Sequence, residues 1–129
     1  DKVIVVDTHA LVWWVAATSR LSSAARAALD GNSSVGIPSI VCLEVALLAR
    51  RNRIELPRPV TDWLADTINL PNVELLPITI DVATTAANLW GKLRDPADLL
   101  IVATAVHHGV PLVTKDDRIR ASGVVETIW

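Results

Sequence analysis

Lys2-Val3-Ile4-Val5-Val6-Asp7-Thr8-His9-Ala10-Leu11 opens as a continuous apolar run of strand length, ends that run on a carboxylate, and then changes to an apolar helical pattern. A short run rich in valine and isoleucine suits a strand buried on both faces, the usual state of a strand in a parallel sheet. Asp7 then stands at the strand's carboxyl end, the edge of an open α/β sheet where ligands bind. A purely structural alternative also fits, because an aspartate before a helix accepts backbone N–H bonds as a cap.

Outward from this stretch, strand-like and helical patterns alternate. Lys2 to Val6, Ser34 to Ile37, Val73 to Ile78, Pro111 to Thr114 and Val124 to Ile128 read as strands. Two helices are expected within Thr8 to Asp30, the second capped by Ser22 and stopped by Gly31. Ser39 is expected to cap a third helix, and Pro59 to open a fourth through Ile68. Thr79 to Leu93 and Pro96 to His108, closed by Gly109, supply the last two. The alternation predicts an α/β fold, a central parallel sheet of about five strands wound by right-handed crossovers, with helices on both faces. At 129 residues and 51% apolar content, residues 1–129 form one domain with a proper core.

Three further acids attract attention. Glu44 lies three or four residues from Ile40, Val41, Leu47 and Leu48, and a glutamate among them is costly to bury unless it is paired or binds a cation. The competing account is an ion pair with Arg50 or Arg51. In Asp95-Pro96-Ala97-Asp98, Asp95 reads as an N-cap and Pro96 as the first helical residue. Capping can explain Asp98 too, but it heads the stripe Ile101, Val102 and Ala105, which turns it toward the sheet. Asp116 follows the apolar run Pro111 to Thr114, whereas its neighbour Asp117 is read as solvated surface or turn. Four carboxylates, Asp7, Glu44, Asp98 and Asp116, are thus expected to share one region, and clustered like charges need a counter-cation. Oxygen donors without a cysteine or histidine cluster suit Mg²⁺ or Mn²⁺ rather than zinc.

Val5-Val6-Asp7-Thr8-His9-Ala10-Leu11, a Glu44 helix, Asp95-Pro96-Ala97-Asp98 and Leu112-Val113-Thr114-Lys115-Asp116 occur in an order that resembles the PIN-domain nucleases, especially VapC-like toxins. The resemblance covers essentially the whole chain. It implies a metal-dependent endoribonuclease, the toxin of a toxin–antitoxin pair, with Asp7 and Asp98 as principal ligands of Mg²⁺ or Mn²⁺. Glu44 would complete the shell or orient the attacking water, Asp116 would hold a second ion or ordered waters, and Thr114 resembles the family's supporting hydroxyl. The resemblance further implies a homodimer and a cognate antitoxin that inserts a segment across the acidic pocket. Leu99 departs from the pattern, since many relatives carry arginine there.

The net charge of −2 is not that of a general nucleic-acid binder. Setting aside the four proposed ligands from the 14 acids leaves ten against 12 lysines and arginines, a balance of +2. Arg50, Arg51, Arg53 and Arg58 form one basic segment, and Lys92, Arg94, Lys115, Arg118 and Arg120 flank the last two acidic motifs. Of these, Arg50, Arg51, Arg94, Lys115 and Arg118 are the candidate RNA contacts, against the alternative of an ordinary solvated face. Trp63 and Trp90 fall on amphipathic patterns and are expected in the core or an interface. Adjacent Trp13 and Trp14 diverge by about 100° on a helix, so one of them is expected at a partner surface.

Cys42, the sole cysteine, allows no internal disulfide and suits a reducing cytoplasm. With no leader-like segment and no membrane-length apolar stretch, the chain is expected to be soluble and cytoplasmic. Two other classes remain. One is a catalytically silent module that binds RNA or protein, against which the intact acid set counts. The other is an aspartyl phosphotransfer domain, but Asp7-Thr8-His9 lacks the second acid that haloacid dehalogenase-type phosphatases place two residues on. A receiver-like domain is disfavoured because Thr114 and Lys115 are adjacent and so point to opposite strand faces.

Overall fold

Five strands pair in parallel in the order β3-β2-β1-β4-β5. In this computed structural model, which describes residues 3–31 and 34–129, they are β1 (Val3–Val6), β2 (Ser34–Pro38), β3 (Val73–Leu76), β4 (Leu112–Val113) and β5 (Thr127–Ile128). The described helices are α1 (Thr8–Val15), α2 (Ser23–Asp30), α3 (Ser39–Arg50), α4 (Val60–Ile68), α5 (Ile80–Asn88), α6 (Pro96–His108) and α7 (Asp117–Ser122). Val5 and Val6 point to opposite faces of β1, and both are 0% exposed, so both faces of the sheet are covered as the apolar run predicted. Lys2, placed in that strand by sequence, lies outside the described residues.

The strand order reverses between β1 and β4. β1 is the first strand, with β2 on one side and β4 on the other. In a parallel sheet the loops leaving two such neighbours diverge, and a crevice opens at their carboxyl ends. Asp7 N donates to Val113 O (3.0 Å), which carries the β1–β4 pairing to the rim of that crevice.

α6 packs on β1, β2, α3 and α5, with Ile101, Val102, Ala103 and Ala105 fully buried. Its ends match the sequence: Asp95 accepts from Asp98 N (3.0 Å), Pro96 occupies the first turn, and Gly109 stops the helix in the left-handed region at φ 65°. Ser22 likewise caps α2 through Ala25 N. Buried Gly36 lets β2 run closely between its neighbours, because a Cβ there would meet Val3 Cγ1 and Leu76 Cδ1.

Other boundaries shift. Ser39 is the first residue of α3 rather than its cap; Pro38 holds the cap position without a side-chain bond. Pro59 is the cap residue of α4 rather than its first helical residue, and Thr79 caps α5 through Val82 N. α5 ends at Asn88, short of the expected Leu93, because Leu89 and Trp90 N–H groups bond back to Ala86 and Ala87 in closing turns. The strands expected over Val73 to Ile78, Pro111 to Thr114 and Val124 to Ile128 shrink to Val73–Leu76, Leu112–Val113 and Thr127–Ile128, although Pro111, Thr114 and Glu126 still exchange single backbone bonds with the neighbouring strands. Among the described residues, no helix is long and apolar enough to cross a membrane.

Candidate active site

Asp7, Glu44, Asp98 and Asp116 line one cavity of about 200 Å³, together with Thr8, His9 and Leu48. Four elements supply the acids. β1 delivers Asp7 at its end, α3 presents Glu44 from its middle, α6 presents Asp98 in its first turn, and the turn after β4 delivers Asp116.

Two threonines hold this arrangement. Thr114 is fully buried, and its Oγ1 donates to Asp7 Oδ2 at 2.6 Å while accepting Asp116 N at 3.0 Å, so one hydroxyl ties the β1 acid to the β4 turn. Thr8 N donates to Asp7 Oδ1 (2.7 Å), and Thr8 Oγ1 donates to Glu44 Oε1 (2.7 Å). Asp7 is therefore both a helix cap and a member of the acid group, and the two readings of it coexist. Asp116 is also a cap: its Oδ1 accepts Arg118 N (2.9 Å) and Ile119 N (3.1 Å) at the start of α7.

The electrostatics follow from the crowding. Burial pushes Asp7 up from its ordinary value; the bonds from Thr114 and Thr8 oppose this, and the charge of Asp116 adds to it. Glu44 is raised by burial, opposed by its bond from Thr8 and reinforced by Asp7 and Asp95. Asp98 is pushed up to about 7 by burial and then by Asp95, Asp116, Asp7 and Glu44 in turn. Every one of these shifts reports a carboxylate that a cation would relieve. The ion pair expected as an alternative for Glu44 is absent among the described residues, where Arg50 and Arg51 are exposed and Thr8 is the partner.

The donor set is all oxygen and fits a hard divalent cation. Among the described residues no three His, Cys, Asp or Glu side chains are arranged to hold one ion by themselves. Mg²⁺ keeps several waters and takes one or two carboxylates. Asp7, Glu44, Asp98 and Asp116 are the carboxylate donors that line the smaller cavity.

A second cavity of about 550 Å³ adjoins the first, sharing Asp7, His9 and Asp116 and adding Trp13, Arg20, Lys115, Asp117 and Arg118. Of the candidate RNA contacts, Lys115 and Arg118 are thus brought to the site. Arg50, Arg51 and Arg94 are exposed and line neither cavity. Arg58, from the basic segment, is engaged with Asp66 and, at 3.9 Å, with Asp62. Asp117 is solvated surface, as expected, but it is the first residue of α7 rather than a turn residue, and it lies 3.8 Å from Arg120. Leu99, the departure from the family pattern, is buried in the core.

The sequence reading did not place Arg20 or His9 at the site, and it expected Trp13 or Trp14 at a partner surface rather than in this cavity. The spacing of His9 and Trp13 four residues apart on α1 was the available signal, and their rings lie 5.5 Å apart. Arg20 sits between α1 and α2, where no pattern announces direction. Of the two tryptophans expected in the core or an interface, Trp63 is in the core, and Trp90, 62% exposed, is outside it, which leaves the interface alternative for that residue. Trp14 donates its Nε1–H to Asp30 Oδ1 (2.8 Å), leaving Trp13 as the member of the pair that faces the cavity.

Comparison with known proteins agrees with this geometry. The PIN domain family pattern matches residues 4–124. Ribonuclease VapC22 of Mycobacterium tuberculosis (strain ATCC 25618 / H37Rv) is 41% identical over 119 residues, covering 92% of this chain and 90% of that protein. The fold is shared with VapBC2 from Rickettsia felis bound to a promoter DNA fragment, at a TM-score of 0.69 and 16% identity over 97% of this chain and 96% of the other. It is shared too with VapBC-5 from Mycobacterium tuberculosis, a member of the VapBC family of toxin-antitoxin systems, at a TM-score of 0.63 and 21% identity over 98% of each chain. The chain belongs to the PIN-domain family.

Proposed function

We propose that the protein is a Mg²⁺- or Mn²⁺-dependent endoribonuclease, the toxin of a toxin–antitoxin pair acting in the cytoplasm, and that Asp7, Glu44, Asp98 and Asp116 form its active site. The observation that carries this reading is the convergence of these four acids on one cavity at the reversal of strand order, with the proton affinities of Asp7, Glu44 and Asp98 raised by burial and by neighbouring acids. Identity of 41% with a protein named a ribonuclease supports RNA as the substrate.

Asp7 and Asp98 would hold the cation, with Glu44 and Asp116 completing its shell directly or through water. When bound, a divalent cation supplies Lewis-acid stabilisation of the phosphate and a water of lowered pKa. The chain's residues do the rest. Thr114 and Thr8 fix both oxygens of Asp7, so its carboxylate is oriented before any ligand arrives. Glu44, held through Oε1 by Thr8, keeps Oε2 available to accept a proton from the attacking water. Lys115 and Arg118, on the neighbouring cavity wall, offset the repulsion between RNA phosphates and the acids.

The partners follow the same reading. A cognate antitoxin protein would cover the crevice, and the two VapBC structures that share this fold support that assignment. A homodimer would cover the exposed apolar side chains Ile78, Ile80 and Trp90 at the two ends of α5. A metal-free binding module is the competing reading. Cleavage of structured and single-stranded RNAs with Mg²⁺, Mn²⁺ or EDTA, beside Asp7→Asn, separates the two: metal-dependent cutting that Asp7→Asn abolishes is expected. Absence of both cutting and acid-dependent metal binding would overturn the enzyme.

A further inference from the structure

The geometry points to a nucleotide subsite beside the acids, in which the indole of Trp13 stacks against one base of a single-stranded RNA while Arg20, Lys115 and Arg118 take its phosphates. This assignment rests on the nuclease reading and extends it to how the substrate is held.

Four observations carry it. The cavity of about 550 Å³ is within the range of small-ligand sites and shares Asp7, His9 and Asp116 with the acid cavity, so a nucleotide seated in it is continuous with a phosphodiester at the acids. Trp13 presents its ring to this space, with the His9 ring at 5.5 Å and the Trp129 ring at 5.8 Å fixing its orientation. Two cations lie over that ring: Lys115 Nζ is 5.6 Å and Arg20 Cζ 6.0 Å from its centroid. Among the described residues, Arg20, Lys115 and Arg118 make no ion pair, whereas the acids facing them are engaged: Asp116 caps α7 and Asp117 lies near Arg120.

The physics favours a nucleotide over an apolar peptide. Among the described residues, Ala10 and Trp13 are the only apolar side chains lining the cavity, too few to receive an aliphatic anchor, and the remaining wall is His9 and charged side chains. A nucleotide matches both parts, a π-face for the indole and phosphates for the cations. Lys115 and Arg20 are long and flexible, so a base can take their place over the ring while their charged heads move to the phosphates on either side. Stacking of this kind tolerates any base, and it therefore positions the strand without reading its sequence.

The test is fluorescence anisotropy with a fluorescein-labelled single-stranded dodecaribonucleotide of mixed sequence, all proteins carrying Asp7→Asn so that the probe is not cut. Adding Trp13→Ala should weaken binding about tenfold or more, and Trp13→Phe should stay within about threefold of the parent. Removing the indole should leave the salt dependence unchanged, whereas Arg20→Gln and Lys115→Gln should each reduce the slope by about 0.7, the share of one phosphate on a single strand. Because Trp13 packs on Trp129, a second series leaves the protein unaltered and replaces each base in turn by an abasic residue. One position should matter to the Trp13 protein and not to Trp13→Ala. Equal binding by Trp13→Ala and the parent, with no sensitive abasic position, would overturn the subsite while cleavage by the intact protein keeps the nuclease. If the intact protein neither binds nor cuts RNA, the nuclease reading itself has failed. If Trp13→Ala instead loses only capture of the antitoxin protein, the cavity belongs to a protein partner and the proposal is wrong.

Discussion

Thr114 and Asp7 are 107 residues apart in sequence, and the hydroxyl of the first donates to the carboxylate of the second at 2.6 Å. The same oxygen accepts Asp116 N, so a single buried hydroxyl fixes the relative positions of two acids that leave neighbouring strands. Thr114→Val keeps the volume but breaks both bonds. Asp7 would then be without the hydrogen bond that most opposes its raised proton affinity, and Asp116 N would be left unpaired. Cleavage by Thr114→Val should fall about 10- to 100-fold, the usual cost of removing a group that orients a ligand. Thr114→Ser keeps the hydroxyl and should restore most of the activity. Equal rates for the two variants in steady-state assays would rule out this orienting role.

Metal binding should be steeply pH-dependent near neutrality. Asp98 is pushed up to about 7, first by burial and then by four neighbouring acids. A proton on Asp98 must leave before the carboxylate can take a cation. Apparent Mg²⁺ affinity should therefore fall about tenfold for each pH unit below 7, and saturating metal should move the activity profile to lower pH. Calorimetric titration at about pH 6 and about pH 8 checks this, since close to one proton should be released per ion bound at the lower pH and close to none at the higher. Identical affinities at both values would remove Asp98 from the ligand set.

Much of this arrangement was legible in the sequence, for identifiable reasons. β1 announced itself because a strand buried on both faces must be apolar throughout, and Asp7 because a charge ends that run. α6 was read to the residue, since Asp95, Pro96 and Gly109 each act locally on backbone hydrogen bonding. What escaped depends on tertiary structure. β4 and β5 have two residues each, too few for a period. α7 has six, and its cap, Asp116, had already been given a role as a ligand. Glu44 was expected within a buried stripe, yet only Val41 and Val45 are buried on α3, so Glu44 stands at the stripe's border facing the cavity. Arg20 reaches the site from a turn whose path follows from how α1 packs on α2, and no pattern in the sequence records that path.

Gly36 tests the packing of the sheet that carries the site. It pairs with Val5 of β1 and Glu74 of β3, and an added methyl group would strike the side chains of Val3 and Leu76, two residues along each of those strands. Leu76 can turn its end away, but the branched Val3 has little freedom. Gly36→Ala should therefore cost about 1–3 kcal/mol, the range for overfilled cores. Urea unfolding with an unchanged slope and a lowered midpoint would be the expected result. A variant as stable as the parent would mean that the strands move apart freely here.

Replacing Asp98 by asparagine should have opposite effects on activity and on metal-free stability. The folded-state value of about 7 stands above the ordinary 3.8, so the folded protein holds a proton that the unfolded chain has already released. The folded state is therefore favoured at low pH, and that advantage is lost as pH rises from about 4 through about 7. Above neutrality the parent carries a charge that its surroundings oppose, and Asp98→Asn removes it. With EDTA at about pH 8 the variant should be more stable by roughly 1 kcal/mol, discounted for partial solvent screening, which raises Tm by about 3–6 °C. The gain should shrink as pH falls toward 4. Saturating Mg²⁺ should reverse the order, because only the parent's ligand set gains the binding free energy, about 2.7 kcal/mol at a hundredfold excess over Kd. Thermal melts of both proteins under the four combinations of pH and metal decide the point. A variant that melts below the parent in EDTA at high pH would show that Asp98 supports the fold as well as the ion.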